Sequence, residues 1–116
     1  MKDVYIAAGA RTPMGAFQGS LSSLTAVQLG STAIAAALSR AGRQGDGVDE
    51  VIMGCVRPGG IKQGPARQAA MSAGIPVETG ATTSNKLCGS GMKATMLAHD
   101  LIKAGTNEIM IAGGME

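Results

Sequence analysis

Short apolar runs alternate with helix-period segments along this chain, and that alternation restricts it to few architectures. The runs are "DVYIAA" (3–8), "EVIMGCV" (50–56), "ATTSN" (81–85) and "EIMIAGG" (108–114). Each has the length and β-branched character of a strand, and the first, closed by Gly9, reads as buried. Between them, Ala26, Leu29, Gly30, Ala33, Ile34, Ala37, Leu38 and Ala41 recur at three- and four-residue steps, which puts them on one face of a helix over 24–41. Ser22 or Ser23 suits its start and Gly42 its end. "PARQAAMSAG" (65–74) reads as a short helix with proline in its first turn, and a third helix follows Cys88, with Ala94, Leu97, Ala98, Leu101 and Ile102 apolar. Met92 and Met96 are expected in the core. Strands separated by helices pair in parallel through right-handed crossovers, so the fold class is α/β, a mostly parallel sheet covered by helices.

The 116 residues suit one domain, and no linker or internal repeat divides them. The core must be built from Ala, Val, Ile, Leu and Met, because Trp is absent and Tyr5 and Phe17 are the only aromatics. A buried parallel strand normally feeds another covering element, yet the sequence stops just after "EIMIAGG", so the chain reads as cut rather than finished.

The formal charge of +2 is scattered, with no aromatics interleaved among the basic residues, which argues against nucleic-acid binding. No apolar run approaches the roughly 18 residues of a membrane helix, and "MKDVYIAAGA" resembles neither a secretory signal nor a transit peptide. A cytoplasmic protein with two reduced thiols is expected.

The segment "NKLCGSGMKA" (85–94) places one of the two cysteines where a polar strand gives way to a helix. There the partial positive charge of the helix N-terminus favours negative charge on the sulfur. Gly89 and Gly91 leave the sulfur open to a substrate, and the first helical amides can donate to a carbonyl oxygen that becomes negative under attack. The competing reading, a small buried thiol at a crowded turn, stays open on composition alone. A nucleophilic cysteine also needs a base. The sole histidine, His99, lies eleven residues further along the same helix, roughly 16 Å along its axis, and cannot reach Cys88.

"VYIAAGARTPMGAFQGSL", "VIMGCVRPGG", "PARQAAMSAGIP", "NKLCGSGMKATMLAHDLIKAG" and "AGGME" occur in the order and spacing of the thiolases, the acetyl-CoA C-acetyltransferase family, and the resemblance runs from Val4 to Glu116. It implies that residues 1–116 are a truncated thiolase N-terminal domain. The implied fold is a thiolase-like layered α/β/α arrangement, incomplete, in which Cys88 begins a buried helix. By the same resemblance Cys88 is the nucleophile and carries the acyl-thioester intermediate, and its backbone amide contributes to an oxyanion hole. The substrates it implies are coenzyme A thioesters, acetyl-CoA and 3-ketoacyl-CoA, as in fatty-acid metabolism, with no separate cofactor and no metal. The activating histidine, an Asn-Glu segment, a second catalytic cysteine and the loop domain that binds coenzyme A belong to parts of the family outside these residues. The chain alone is therefore expected to be inactive, and the longer enzyme a homo-oligomer, dimer or tetramer.

Cys55 matches no catalytic motif and reads as core. Ile61, Lys62 and Gly64 depart from the family pattern around the shared Gln63. Ser84 stands where a branched apolar residue is common, in a strand the family uses for subunit pairing. Asn85 and Arg67 match; turn formation and a helix-surface ion pair are their structural roles. Glu116 matches a position beside the active-site cleft. Two rival readings are a non-catalytic interaction module that pairs through exposed strand edges, and a redox thiol, the latter disfavoured because Cys88 has no resolving cysteine nearby in the pattern.

Overall fold

The computed structural model describes residues 2–116. Helix α1 spans Ala26–Arg40, strand β1 Glu50–Gly54, helix α2 Pro65–Ser72, strand β2 Gly80–Ser84, helix α3 Ser90–Lys103 and strand β3 Met110–Gly114, with a single 3-10 turn at Gly45–Gly47.

Helix α1 starts later than the serines suggest, because Thr25 forms a reciprocal cap: its hydroxyl accepts the Gln28 amide at 3.1 Å while Gln28 Oε1 accepts the Thr25 amide at 2.8 Å. At the other end Gly42 takes φ +65, and the Arg43 amide reaches back to the Leu38 carbonyl at 3.0 Å. This closure satisfies carbonyls that the helix leaves open and calls for a residue without a Cβ penalty. Pro65 occupies the first turn of α2, where its missing N–H costs nothing.

The sheet is parallel throughout, in the order β2-β1-β3. Val51 stands opposite Ala81 on one side and Ile111 on the other. The crossover from β1 to β2 and the crossover from β2 back past β1 to β3 run in opposite directions, so their right-handedness puts α2 and α3 on opposite faces. Side chains of β1 alternate accordingly. Val51, Met53 and Cys55 join Ile34, Ala66, Ala69 and Ala70 in one cluster beneath α1 and α2, whereas Ile52 turns to the other face, which α3 covers with Ala94 and Ala98. Each large aliphatic side chain taken out of water here contributes about 2 kcal/mol. Alanines on α2 let its backbone lie close to the sheet, which accounts for a core nearly without aromatics.

Two expectations fail here. Residues 3–8 form no strand: they are extended, but none of them enters a ladder, and Tyr5 and Ile6 are 81% and 87% exposed. The arm is tied near its ends, by a Lys2–Glu108 ion pair at 3.1 Å and by Arg40 Nη1 donating to the Gly9 carbonyl at 2.8 Å. A cavity separates it from β3, so the β-prone sequence finds no backbone to pair with. Helix α3 is likewise buried on one face only. Met92 and Met96 are 72% and 53% exposed rather than core, because the sheet covers only the stripe of Ser90, Ala94 and Ala98.

Candidate active site

The carboxyl ends of parallel strands are where open α/β sheets gather their ligands. Here β1 ends at Gly54, β3 at Gly114, and α3 begins between them in projection, leaving a cavity of about 640 Å³. Its floor includes Gly54, Cys88, Ser90 and Glu116, and the loop from Ala10 to Gly15 forms a wall.

Cys88 is a free, exposed thiol one residue before the N-cap Gly89 of α3. The preceding residue, Leu87, holds φ +50, a left-handed conformation that a branched side chain adopts only when held there. Ser90 and Asn85 do the holding. Ser90 Oγ accepts the Lys86 amide at 2.8 Å and donates to the Leu87 carbonyl at 2.6 Å. Asn85 Oδ1 accepts the Leu87 amide at 3.0 Å, the turn-forming role expected of it, and Asn85 Nδ2 donates to the Val56 carbonyl at 3.3 Å.

The first helical amides are not all open to an anion. Gly89 and Ser90 donate theirs to the carbonyls of Lys86 and Leu87, both at 3.1 Å, and neither bond uses the Cys88 amide. Packing within the fold does not require glycine at 89 or 91. A Cβ at either would meet nothing closer than 3.5 Å. The indispensable glycine is Gly54, where a Cβ would lie 2.6 Å from the Ser90 carbonyl carbon and 2.7 Å from the Gly91 nitrogen. Sequence reading missed it, although a glycine interrupting the apolar run "VIMGCV" marks close backbone approach.

Glu116 has a structural role beside the cleft. Its carboxylate accepts the amides of Arg57 at 2.6 Å and Val56 at 3.1 Å, fixing the chain as it leaves β1. Cys55 is buried in the core as expected; burial pushes its thiol up, the Glu116 charge adds to this, and a hydrogen bond from the Arg57 amide partly offsets it. His99 pairs with Asp100 on the surface at 3.0 Å and lines the cavity beside the N-terminal arm, away from Cys88. Among the described residues Arg67 makes no ion pair: its guanidinium donates to the carbonyls of Thr79 at 2.7 Å and Val77 at 2.8 Å, binding the loop between α2 and β2.

The family model for the thiolase N-terminal domain matches residues 4–116. This chain belongs to the thiolase family. It is 54% identical to the mitochondrial acetyl-CoA acetyltransferase of Xenopus tropicalis, covering 100% of this chain and 28% of that protein. It is 55% identical to the cytosolic acetyl-CoA acetyltransferase ERG10 of Gibberella zeae over 97% of this chain and 28% of that one. The fold matches that of the Acat5 thiolase from Ascaris suum, solved in complex with coenzyme A, with a TM-score of 0.96 and 37% identity over 97% of this chain and 30% of that one. The thiolase domain thus spans under a third of the length of the relatives it matches.

The expectation of a cytoplasmic protein is overturned. Mitochondrial enzymes of Xenopus tropicalis and Homo sapiens match the whole chain, at 54% and 49% identity, alongside the cytosolic one. A folded thiolase domain obeys the same packing rules in either compartment, and targeting is written in segments separate from the fold. Among the described residues no helix is long and apolar enough to cross a membrane.

Proposed function

We propose that this domain supplies the acyl-carrying nucleophile of an acetyl-CoA acetyltransferase, which condenses acetyl-CoA reversibly and cleaves 3-ketoacyl-CoA by thiolysis. The observation that carries the reading is Cys88 itself: an exposed thiol at the start of α3, in a cavity at the carboxyl ends of the strands. Its sulfur attacks the thioester carbonyl carbon, the carbon–sulfur bond to coenzyme A breaks, and the acetyl group remains on Cys88. In thiolysis the sulfur attacks the 3-keto carbon instead, the bond between that carbon and C2 breaks, and the departing acetyl-CoA enolate takes up a proton. The acyl group then passes to the sulfur of coenzyme A or to the α-carbon of a second acetyl-CoA, each giving up a proton, as the bond from the acyl carbon to the Cys88 sulfur breaks and the Cys88 thiolate leaves.

The substrates are coenzyme A thioesters, and no further cofactor is required. The thiol proton needs an acceptor, and the domain's only histidine faces the other cavity. The domain alone is accordingly inactive, and the longer enzyme acts as a homo-oligomer, with the unpaired edge of β2 available for pairing.

Exchanging this domain for the corresponding first part of the Xenopus tropicalis enzyme tests the reading. The chimera is expected to cleave acetoacetyl-CoA and to show an acetylated Cys88 by mass spectrometry. Cys88→Ala should lower its rate by at least about a thousandfold, and the isolated domain should show none. Full activity in the Cys88→Ala chimera, or rapid cleavage by the isolated domain, would overturn the proposal.

A further inference from the structure

The turn that carries Cys88 is under backbone strain, and one buried hydroxyl grips both sides of the strained residue. Leu87 sits at φ +50, a conformation in which the Cβ of a non-glycine residue crowds the neighbouring carbonyl. Such a residue relaxes unless its surroundings over-determine it. Ser90, only 4% exposed, is central to that condition: its Oγ accepts the Lys86 amide at the start of the turn and donates its own hydrogen to the Leu87 carbonyl. The peptide group that joins Lys86 to Leu87 is held by Asn85 Oδ1, which accepts the Leu87 amide, and by the Gly89 amide, which donates to the Lys86 carbonyl; with the group after Leu87 held by Ser90, both peptide groups that flank Leu87 are fixed. The second of them also begins Cys88, so its orientation sets where the Cα–Cβ bond of Cys88 points.

Ser90 cannot be displaced to relieve the strain, because its backbone rests on Gly54. Asn85 extends the brace by holding the Leu87 amide and the Val56 carbonyl, and Glu116 holds the Val56 amide from the other side. One chain of hydrogen bonds therefore runs from the residues after β3, across the exit of β1, to the residue before Cys88.

The geometry points to Ser90 as the positioning residue for Cys88, with Asn85 as its second support. This rests on the reading of Cys88 as nucleophile and adds to it: the direction of the thiol is set by a residue whose hydroxyl is committed to backbone groups of the turn. Removing the hydroxyl frees Leu87 to return to negative φ, and Cys88 turns away while α3 and the sheet stay folded.

The rate of Cys88 alkylation by iodoacetamide, followed by intact mass on the 116-residue chain, tests this, with far-ultraviolet circular dichroism as the fold control. Ser90→Ala is expected to slow alkylation by roughly tenfold, and Asn85→Ala to slow it in the same direction. Asparagine tolerates positive φ, so the double variant Ser90→Ala, Leu87→Asn should recover most of the lost rate. Backbone coupling constants at Leu87 should show positive φ in the wild type and its loss in Ser90→Ala. Wild-type alkylation in a folded Ser90→Ala variant would overturn the positioning role. So would a double variant that fails to recover, because loss of stability alone is not repaired by asparagine at 87. If Ser90→Ala does not fold, Asn85→Ala carries the same decision. A wild-type Cys88 that alkylates no faster than the same chain in denaturant defeats the nucleophile reading instead, and is told apart by the wild-type measurement alone.

Discussion

Gly54 and Ser90 touch backbone to backbone: the last residue of β1 lies against the first residue of α3 so closely that a methyl group at Gly54 would sit 2.7 Å from Ser90 Cβ. This contact sets how near the Cys88 turn lies to the sheet. Gly54→Ala should destabilise the domain by about 3 kcal/mol, since backbone atoms on both sides cannot move aside. Gly91, whose nearest neighbour to a Cβ lies at 3.8 Å, should accept alanine with no loss, or with a gain of a few tenths of a kcal/mol from helix propensity. Urea midpoints of the two variants check the contrast, and equal midpoints would count against the contact.

Asp49 gives the domain an acid-sensitive joint. Its Oδ2 accepts the amides of Glu108 at 2.7 Å and Ile109 at 3.0 Å, and those bonds, Ile109 first, hold its carboxyl below the ordinary range, with the Lys2 charge assisting and slight burial opposing. Because the folded value is depressed, the stabilisation is present above about pH 4 and is lost as pH falls through the folded value. Asp49→Ala should cost about 1 kcal/mol or less at pH 7, the carboxylate being solvent-screened, and the gap to wild type should close as pH drops below 4. Stability curves that stay parallel down to pH 2.5 would show that the ionised carboxylate contributes nothing.

Ser84 presents a correctable defect. Its Oγ is buried and has no hydrogen-bond partner, while its carbonyl accepts the Cys55 amide at 3.0 Å. Ser84→Val removes an unsatisfied hydroxyl, keeps the backbone bond and places a branched apolar residue in the strand. A gain of about 1 kcal/mol in thermal or urea unfolding is expected. A loss would mean that the hydroxyl is satisfied by water.

The reciprocal cap at Thr25 should matter to α1 as a whole, because four amides at its start otherwise lack partners. Thr25→Ala should cost about 1 kcal/mol. Ser22→Ala and Ser23→Ala, at the positions that sequence alone favoured, should change stability by less than half of that. Hydrogen exchange at Gln28 reports the same difference locally.

The sequence by itself determined whatever depends on neighbours a few residues apart. Periodic alanines and leucines specify α1 and α3, Pro65 and Gly42 mark where helices begin and end, and alternating strands and helices impose a parallel sheet. It also singled out Cys88. What only the tertiary structure decided are relations between residues distant along the chain. Gly54 is indispensable because α3 lands on it, Glu116 matters because it meets amides some sixty residues earlier, and Ser90 matters because Leu87 is strained. The N-terminal arm marks the same boundary from the other side. Residues 3–8 have every local attribute of a strand, but a strand exists only when a second backbone accepts its hydrogen bonds, and no local pattern says whether one will be there.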